Sequence, residues 1–408
     1  MLIPNTRSIR NGLLAGLMLI QPGIIQYCHS EVWPESVPLF EAEVTRVAGH
    51  RDGAGAKDMY ACYREPVTIK TKTGRIVVGC HAGNRLEWPE RSGQDFVVRY
   101  SEDGGKHWSP PILAAEHGNY SFQSHGMVYD ALIDRIIVKY MVYQWDYSTI
   151  TGRGLEASAP AIQATLDSGE EFSRQYAVYS DDGGITWSRP QEIPVAHPHD
   201  MPHYGSSEGR QLTLGDHAGR LLIPGGMRKH TDGVETDKTI GIWLSDDHGQ
   251  KWNFIPLLEA DPGSMSCEAR VTELKDGSLL YNVRTRYEGR KLSRSFDGGE
   301  TWTNLETHVD LEVTQCNGST ITLRDKKGEL TPNLLFSIPS PGGRKDGYIY
   351  VSSDHGKTWP KKHQPVDGYF AYSSLIQVDD ETVCLFYEAN HYKDIRCMRI
   401  PISTLITE

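Results

Sequence analysis

The chain has 408 residues, 38% of them hydrophobic and 23% charged, and a formal net charge of −11. This composition is that of a folded globular protein rather than a disordered chain. The acidic balance excludes nonspecific nucleic-acid binding, which needs a basic face to displace counterions from phosphates, and leaves an anionic small ligand open only where arginines cluster locally.

The first segment carries Arg7 and Arg10, an apolar stretch from Gly12 to Ile25, and Cys28-His29-Ser30 before the acidic Glu31. This pattern reads as a secretory signal peptide over residues 1–30, so a secreted or periplasmic protein is expected. Gln21 and Pro22 interrupt the apolar run, which is too short to span a bilayer, and no membrane span is expected. Bulky Tyr27 before Cys28 argues against a lipoprotein site. Cys62, Cys80, Cys267, Cys316, Cys384 and Cys397 are scattered with no close pair of metal-ligand spacing. Neither a metal nor another cofactor is expected, while an oxidising compartment would permit one or two disulfides.

Residues 31–408 read as one all-β domain. Forty glycines, 22 prolines and nine tryptophans, with few helical heptads, imply many short strands joined by tight turns. A repeat organises them. The motif Ser-x-Asp-x-Gly-x-Thr-Trp begins at Ser101, Ser180, Ser245, Ser295 and Ser352, with His107 and Lys251 replacing threonine in the first and third copies. Each copy follows a strand-like run, such as Phe96 to Tyr100 or Tyr348 to Val351, and is therefore placed at a hairpin turn. There the aspartate accepts hydrogen bonds from turn amides, a glycine takes positive φ, and the tryptophan packs between sheets. The spacing suits one four-stranded blade per repeat, with chain enough for about six blades, one of them lacking the motif.

This motif is the Asp-box, and the chain resembles the bacterial-type sialidase (neuraminidase) family of six-bladed β-propeller glycoside hydrolases. Asp-boxes also occur in noncatalytic glycan-binding propellers and in propeller lyases acting on uronate polymers, so function must be read from the site. The chemistry of a sialoside is distinctive because its anomeric carbon bears a carboxylate, which would repel a carboxylate nucleophile. A neutral tyrosine avoids that repulsion, provided a glutamate takes its proton, since a free phenol with pKa about 10 is a poor nucleophile. Planar arginine forks hold the sugar carboxylate bidentately.

Tyr63-Arg64-Glu65-Pro66 is similar to the family segment with the first clamp arginine, here Arg64, although Glu65 stands where the family has an apolar residue. The loop from Asn84 to Asp95 resembles the segment carrying a second substrate-contacting arginine, Arg85, and the acid/base residue. Counting from Arg85 lands on Glu90 where the family has aspartate; Asp95 is the other candidate, and its place directly before a strand fits a structural aspartate better. A longer match runs from Glu268 to Arg284, which the resemblance makes the base and the second clamp arginine, while Arg270 and Arg286 read as solvated or structural. Gln315 to Ser319, Leu334 to Pro339 and Arg344 follow the pattern that carries the third clamp residue, Arg344. Ala371 to Leu375 resembles the nucleophile segment, giving Tyr372, and Leu385 to Glu388 the segment whose glutamate, Glu388, steadies the first arginine.

The resemblance thus implies an exo-α-sialidase acting on terminal sialic acid, or a closely related 2-keto sugar acid, of glycoproteins, glycolipids or oligosaccharides. It runs from about Tyr63 to the C-terminus and leaves no segment for an added lectin domain, so hydrolysis is expected rather than transfer.

Overall fold

The β-branched and aromatic runs of the sequence fold as strands that pair into six sheets. The computed structural model describes residues 32–47, 59–86, 93–118, 120–143, 164, 167, 173–194, 200–231, 234–259, 265–286, 289–312 and 315–406. The expected leader over residues 1–30, Cys28 and Glu90 lie outside the described residues. Among the described residues no helix is long and apolar enough to cross a membrane.

The sheets are the blades of a β-propeller, as expected. Blade 1 comprises Cys62–Lys70, Ile76–Gly83, Gln94–Ser101 and Ile112–Ala115, paired in chain order from the innermost strand outward. Blades 4 and 5 repeat this plan, beginning at Met265–Glu273 and Ser319–Arg324. In blades 2 and 3 the plan is modified: Ser207–Glu208 leaves the inner edge of blade 3 and pairs in parallel with Phe122–Asp130, the inner strand of blade 2. Blade 6 takes Ser373–Gln377, Thr382–Ala389 and Asp394–Pro401, and its outer strand is Val37–Glu41 from the opposite end of the described chain. That closure explains the missing sixth Asp-box. The box occupies the hairpin between third and fourth strands, and in blade 6 those two strands are not consecutive.

The boxes share a turn in which the serine hydroxyl bonds the aspartate and a glycine amide. In the fourth copy the buried Ser295 hydroxyl donates to Asp297 at 2.8 Å and accepts from the Gly299 amide at 2.8 Å, while Asp297 also accepts from the amides of Glu300 and Thr301. Trp302 Nε1 closes the turn on the Gly299 carbonyl at 3.0 Å. Hydrophobic layers seal the blades together. Phe96 of blade 1 stacks on Phe122 of blade 2 at 5.2 Å, and Trp108 of the first box meets Phe386 of blade 6 edge-on at 5.7 Å. Burial of such side chains contributes about 1.5–3 kcal/mol each.

The six described cysteines are all buried and free, so the disulfides that export would permit are not formed among them. Each thiol packs in the core instead.

Candidate active site

The innermost strands run around the propeller axis, and three of them carry irregularities that re-aim side chains into one site. In blade 1 Arg64 pairs with His81 and Val67 with Gly79, leaving Glu65 and Pro66 opposite one residue. This is a β-bulge: Glu65 takes φ 61, and Pro66 has no amide proton to give the ladder. In blade 2 the register shifts between Gln123 and Gly126, with Ser124 at φ 48, and in blade 4 it shifts between Met265 and Ala269 around Glu268.

The bulges bring residues from distant parts of the chain together. Arg64 Nε donates to Glu388 Oε1 at 2.8 Å across 324 positions, and the same oxygen accepts the Glu65 amide at 2.9 Å. The other Glu388 oxygen accepts the Tyr372 amide at 3.1 Å. Glu388 therefore fixes the first arginine and the tyrosine backbone at once. Arg284 Nη1 donates to Glu268 Oε2 at 2.6 Å and to the Tyr372 phenol oxygen at 2.9 Å. The Arg64 and Arg344 guanidiniums lie 5.4 and 5.2 Å from the centre of the Tyr372 ring. All three expected clamp arginines thus surround one buried tyrosine, 5% exposed.

The electrostatics follow from this packing. Burial would raise the Glu268 carboxyl, but Arg284 and the hydrogen bond from Tyr372 outweigh it and hold the group at about 2. The Tyr372 phenol is raised well above its ordinary range by burial and then by Glu268, against the opposing pull of Arg284 and Arg344. A protonated phenol beside an ionised carboxylate is a donor–acceptor pair ready to transfer its proton once charge leaves the oxygen.

The loop residues differ. Arg85 is exposed, just beyond Ile76–Gly83, and its carbonyl accepts the Cys62 thiol at 3.2 Å. Asp95 is buried and accepts the Tyr60 hydroxyl at 2.6 Å, a bond that ties the third strand of blade 1 to the segment preceding the blade.

Several residues of the site were not among the expected ones. Tyr392 sits 4.2 Å under the Arg64 guanidinium, and its hydroxyl accepts from Arg344. It is held there by three successive left-handed residues, Asn390, His391 and Tyr392, at φ 47, 54 and 71. Such strain in non-glycine residues persists only where surrounding contacts enforce it. The asparagine, which tolerates this region, was the one cue in the sequence.

Ser206 donates to Glu65 Oε2 and reaches it because Gly205, at φ 61, lets the chain pass close to blade 4; a Cβ at Gly205 would stand 2.3 Å from the Cys267 carbonyl oxygen. Asn317 Nδ2 pins this segment through the Gly205 carbonyl at 2.8 Å. Arg270, read as solvated or structural, is 1% exposed and faces the fully buried Glu208 at 3.8 Å. Glu208 also accepts from Ser374 and from Ser319, the latter at 3.2 Å, and so joins blades 4, 5 and 6 at the axis.

Glu65, His81 and His125 place three donor atoms within 4.8 Å of one another. His81 Nε2 and His125 Nδ1 already share a proton at 2.8 Å, so one of those nitrogens is protonated, and His81 Nδ1 lies 3.5 Å from Glu65.

The family profile of BNR repeat-like domains matches residues 162–385. An anhydrosialidase of Macrobdella decora is 26% identical over 80% of this chain and 47% of its own length. A sialidase of Bacteroides fragilis is 27% identical over 84% of this chain and 63% of its own length. The chain therefore spans roughly half to three fifths of these relatives. An intramolecular trans-sialidase structure from Ruminococcus gnavus superposes with a TM-score of 0.69 at 18% identity, covering 86% of this chain and 96% of the other, a likeness of fold. With the Asp-boxes, the closed propeller and the profile match in agreement, the chain belongs to the BNR repeat-like, bacterial-type sialidase family.

Proposed function

We propose that the protein is a retaining exo-α-sialidase that releases terminal sialic acid, or a closely related 2-keto sugar acid, from glycoconjugates. The observation that carries this reading is the enclosure of Tyr372 by Arg64, Arg284 and Arg344 with Glu268 as its hydrogen-bond partner. The arginines hold the sugar carboxylate and place the anomeric carbon over the phenol oxygen. Tyr372 then attacks that carbon as its proton passes to Glu268, and the bond to the leaving oxygen breaks as that oxygen takes a proton from an acid, assigned to Glu90. Water, deprotonated by the same acid/base, next displaces Tyr372, and Glu268 returns the phenol proton. Two inversions give net retention.

Release of sugar acid from a sialylated oligosaccharide, followed by mass spectrometry, tests the reading. Free sialic acid is the expected product. An intramolecular transfer product would be one water lighter, binding without turnover would indicate a glycan-binding propeller, and an ultraviolet-absorbing unsaturated product from a uronate polymer, supplied in a parallel incubation, would indicate a lyase. The leader-like residues 1–30 support action outside the cytoplasm, in secreted or periplasmic form, which fractionation and N-terminal sequencing of the mature protein check.

A further inference from the structure

Glu65 is the residue of the first clamp segment that the family resemblance does not account for. Its side chain is 13% exposed and lies on the bulge beside Arg64. The carboxylates that share its surroundings are already committed: Glu388 holds Arg64 at 2.8 Å and Glu268 holds Arg284 at 2.6 Å. Glu65 stands 3.9 Å from Arg64 Nη2, accepts from the Ser206 hydroxyl, and has the His81 ring 3.5 Å away. Burial keeps His81 and, behind it, His125 neutral, so neither supplies a compensating charge. Glu65 therefore shares a single guanidinium with Glu388 and feels the charge of Glu268 and, in turn, acts on the Tyr372 phenol.

A substrate carboxylate that engages Arg64 adds a further negative charge beside Glu65 and draws on the one cation it shares. Two carboxylates in contact cannot both stay ionised in a buried site; one takes a proton and donates it to the other. We propose that Glu65 is a further substrate-contacting residue, which binds the sugar acid in its proton-bearing form and so couples each binding event to the uptake of one proton. This rests on the sugar-acid reading of the site. Burial already lifts the Glu65 carboxyl to about 7 in the free protein, against Arg64 and the Ser206 bond, so the added anion acts on a group poised to protonate. The glutamate thus sets a pH-dependent affinity that an apolar residue at this position would not confer.

Titration calorimetry of the whole protein with free N-acetylneuraminic acid, in buffers of different ionisation enthalpy at pH 8, measures the protons taken up. The expected value is close to one per ligand, with affinity falling about tenfold per pH unit above neutrality. Glu65→Gln keeps an amide donor but cannot titrate; its affinity should stay flat over the same range and exceed the wild-type value at pH 8. Binding by the wild type with no proton uptake, or an E65Q variant that keeps the wild-type slope, overturns the proposal while leaving the sugar-acid reading intact. Failure of the wild type to bind at any pH overturns that reading and the proposal with it. The wild-type calorimetry decides the matter alone if E65Q does not fold.

Discussion

One nitrogen of Arg284 bonds both members of the proposed proton-transfer pair: it lies 2.9 Å from the Tyr372 phenol oxygen and 2.6 Å from Glu268. The arginine can thus stabilise phenolate character on one side while holding the accepting carboxylate on the other. Tyr372→Phe removes only the oxygen and leaves the clamp in place. The expected outcome is a fall in kcat on the order of a thousandfold or more, about 4 kcal/mol, with sugar-acid affinity little changed. Steady-state kinetics and calorimetry together check this. A fluorinated sialoside with a good leaving group should also label Tyr372 in the wild type, read by peptide mass spectrometry, and an adduct on another residue would remove the nucleophile assignment.

Glu388 is wholly buried and bonds Arg64, the Glu65 amide and the Tyr372 amide. Glu388→Gln leaves the Arg64 charge without its carboxylate in a desolvated setting. Loss of one partner from such a pair costs about 3–5 kcal/mol, which denaturant unfolding should register. Substrate KM should rise as well, because the first clamp arginine loses its anchor. Arg64→Lys should not restore affinity, since an ammonium cannot fork between Glu388 and a ligand.

The Asp-boxes should behave differently from the site. Asp297 accepts bonds from Ser295, Thr301 and two turn amides at the outer hairpin of blade 4. Asp297→Ala strands those donors and should lower stability by about 1–3 kcal/mol. At a temperature where the variant is fully folded, kcat/KM should match the wild type, and a large kinetic loss would show that the hairpin communicates with the site.

The repeat, the strands and the segments that converge on Tyr372 were legible because each rests on a local rule. Ser295 to Trp302 forms its turn from its own side chains, and Arg284, Arg344 and Tyr372 sit on regular strands or directly beside them. What escaped was nonlocal. Tyr392 reaches the arginines only through a strained turn, and Ser206 reaches Glu65 only because an inner strand swings from blade 3 to blade 2. Arg270 reads as solvated or structural in sequence, and only the fold shows its partner, Glu208 from another segment of the chain. The sixth blade lacked a box for a topological reason that no local pattern carries.

Titration of Glu65 should also appear in stability. Its folded value, about 7, lies above the ordinary carboxyl range, so the folded state binds more protons than the unfolded chain between roughly pH 4.5 and 7. Stability contributed by this group therefore falls as pH rises through that window. Relative to the wild type, Glu65→Gln should gain on the order of 1–3 kcal/mol between pH 5 and pH 8. Glu268, held at about 2, contributes in the opposite sense: its stabilisation is present above its unfolded value and is lost as pH falls through about 2. Unfolding curves at fixed ionic strength, compared between variants, separate the two.

Lys139 supplies a test of two opposing effects far from the chemistry. It is 1% exposed, with its ammonium nitrogen 5.0, 4.9 and 4.5 Å from the rings of Tyr204, Trp243 and Trp252. Three aromatic faces attract a cation, at up to about 2 kcal/mol when desolvated. Burial opposes this and pushes the Lys139 ammonium well below its ordinary range by removing its charge from water. In the window between that depressed value and the ordinary lysine value, the folded state binds fewer protons, so this group's contribution to stability rises with pH. Lys139→Met keeps the length of the chain, fills the same space and makes favourable sulfur–aromatic contacts. The variant should therefore be more stable than the wild type at pH 7, by on the order of 1–3 kcal/mol, and the difference should shrink toward pH 10. Chemical denaturation of both proteins across pH 6 to 10 measures this directly. A variant less stable at every pH would mean that the aromatic cage outweighs desolvation and that the lysine holds blades 2 and 3 together as a cation.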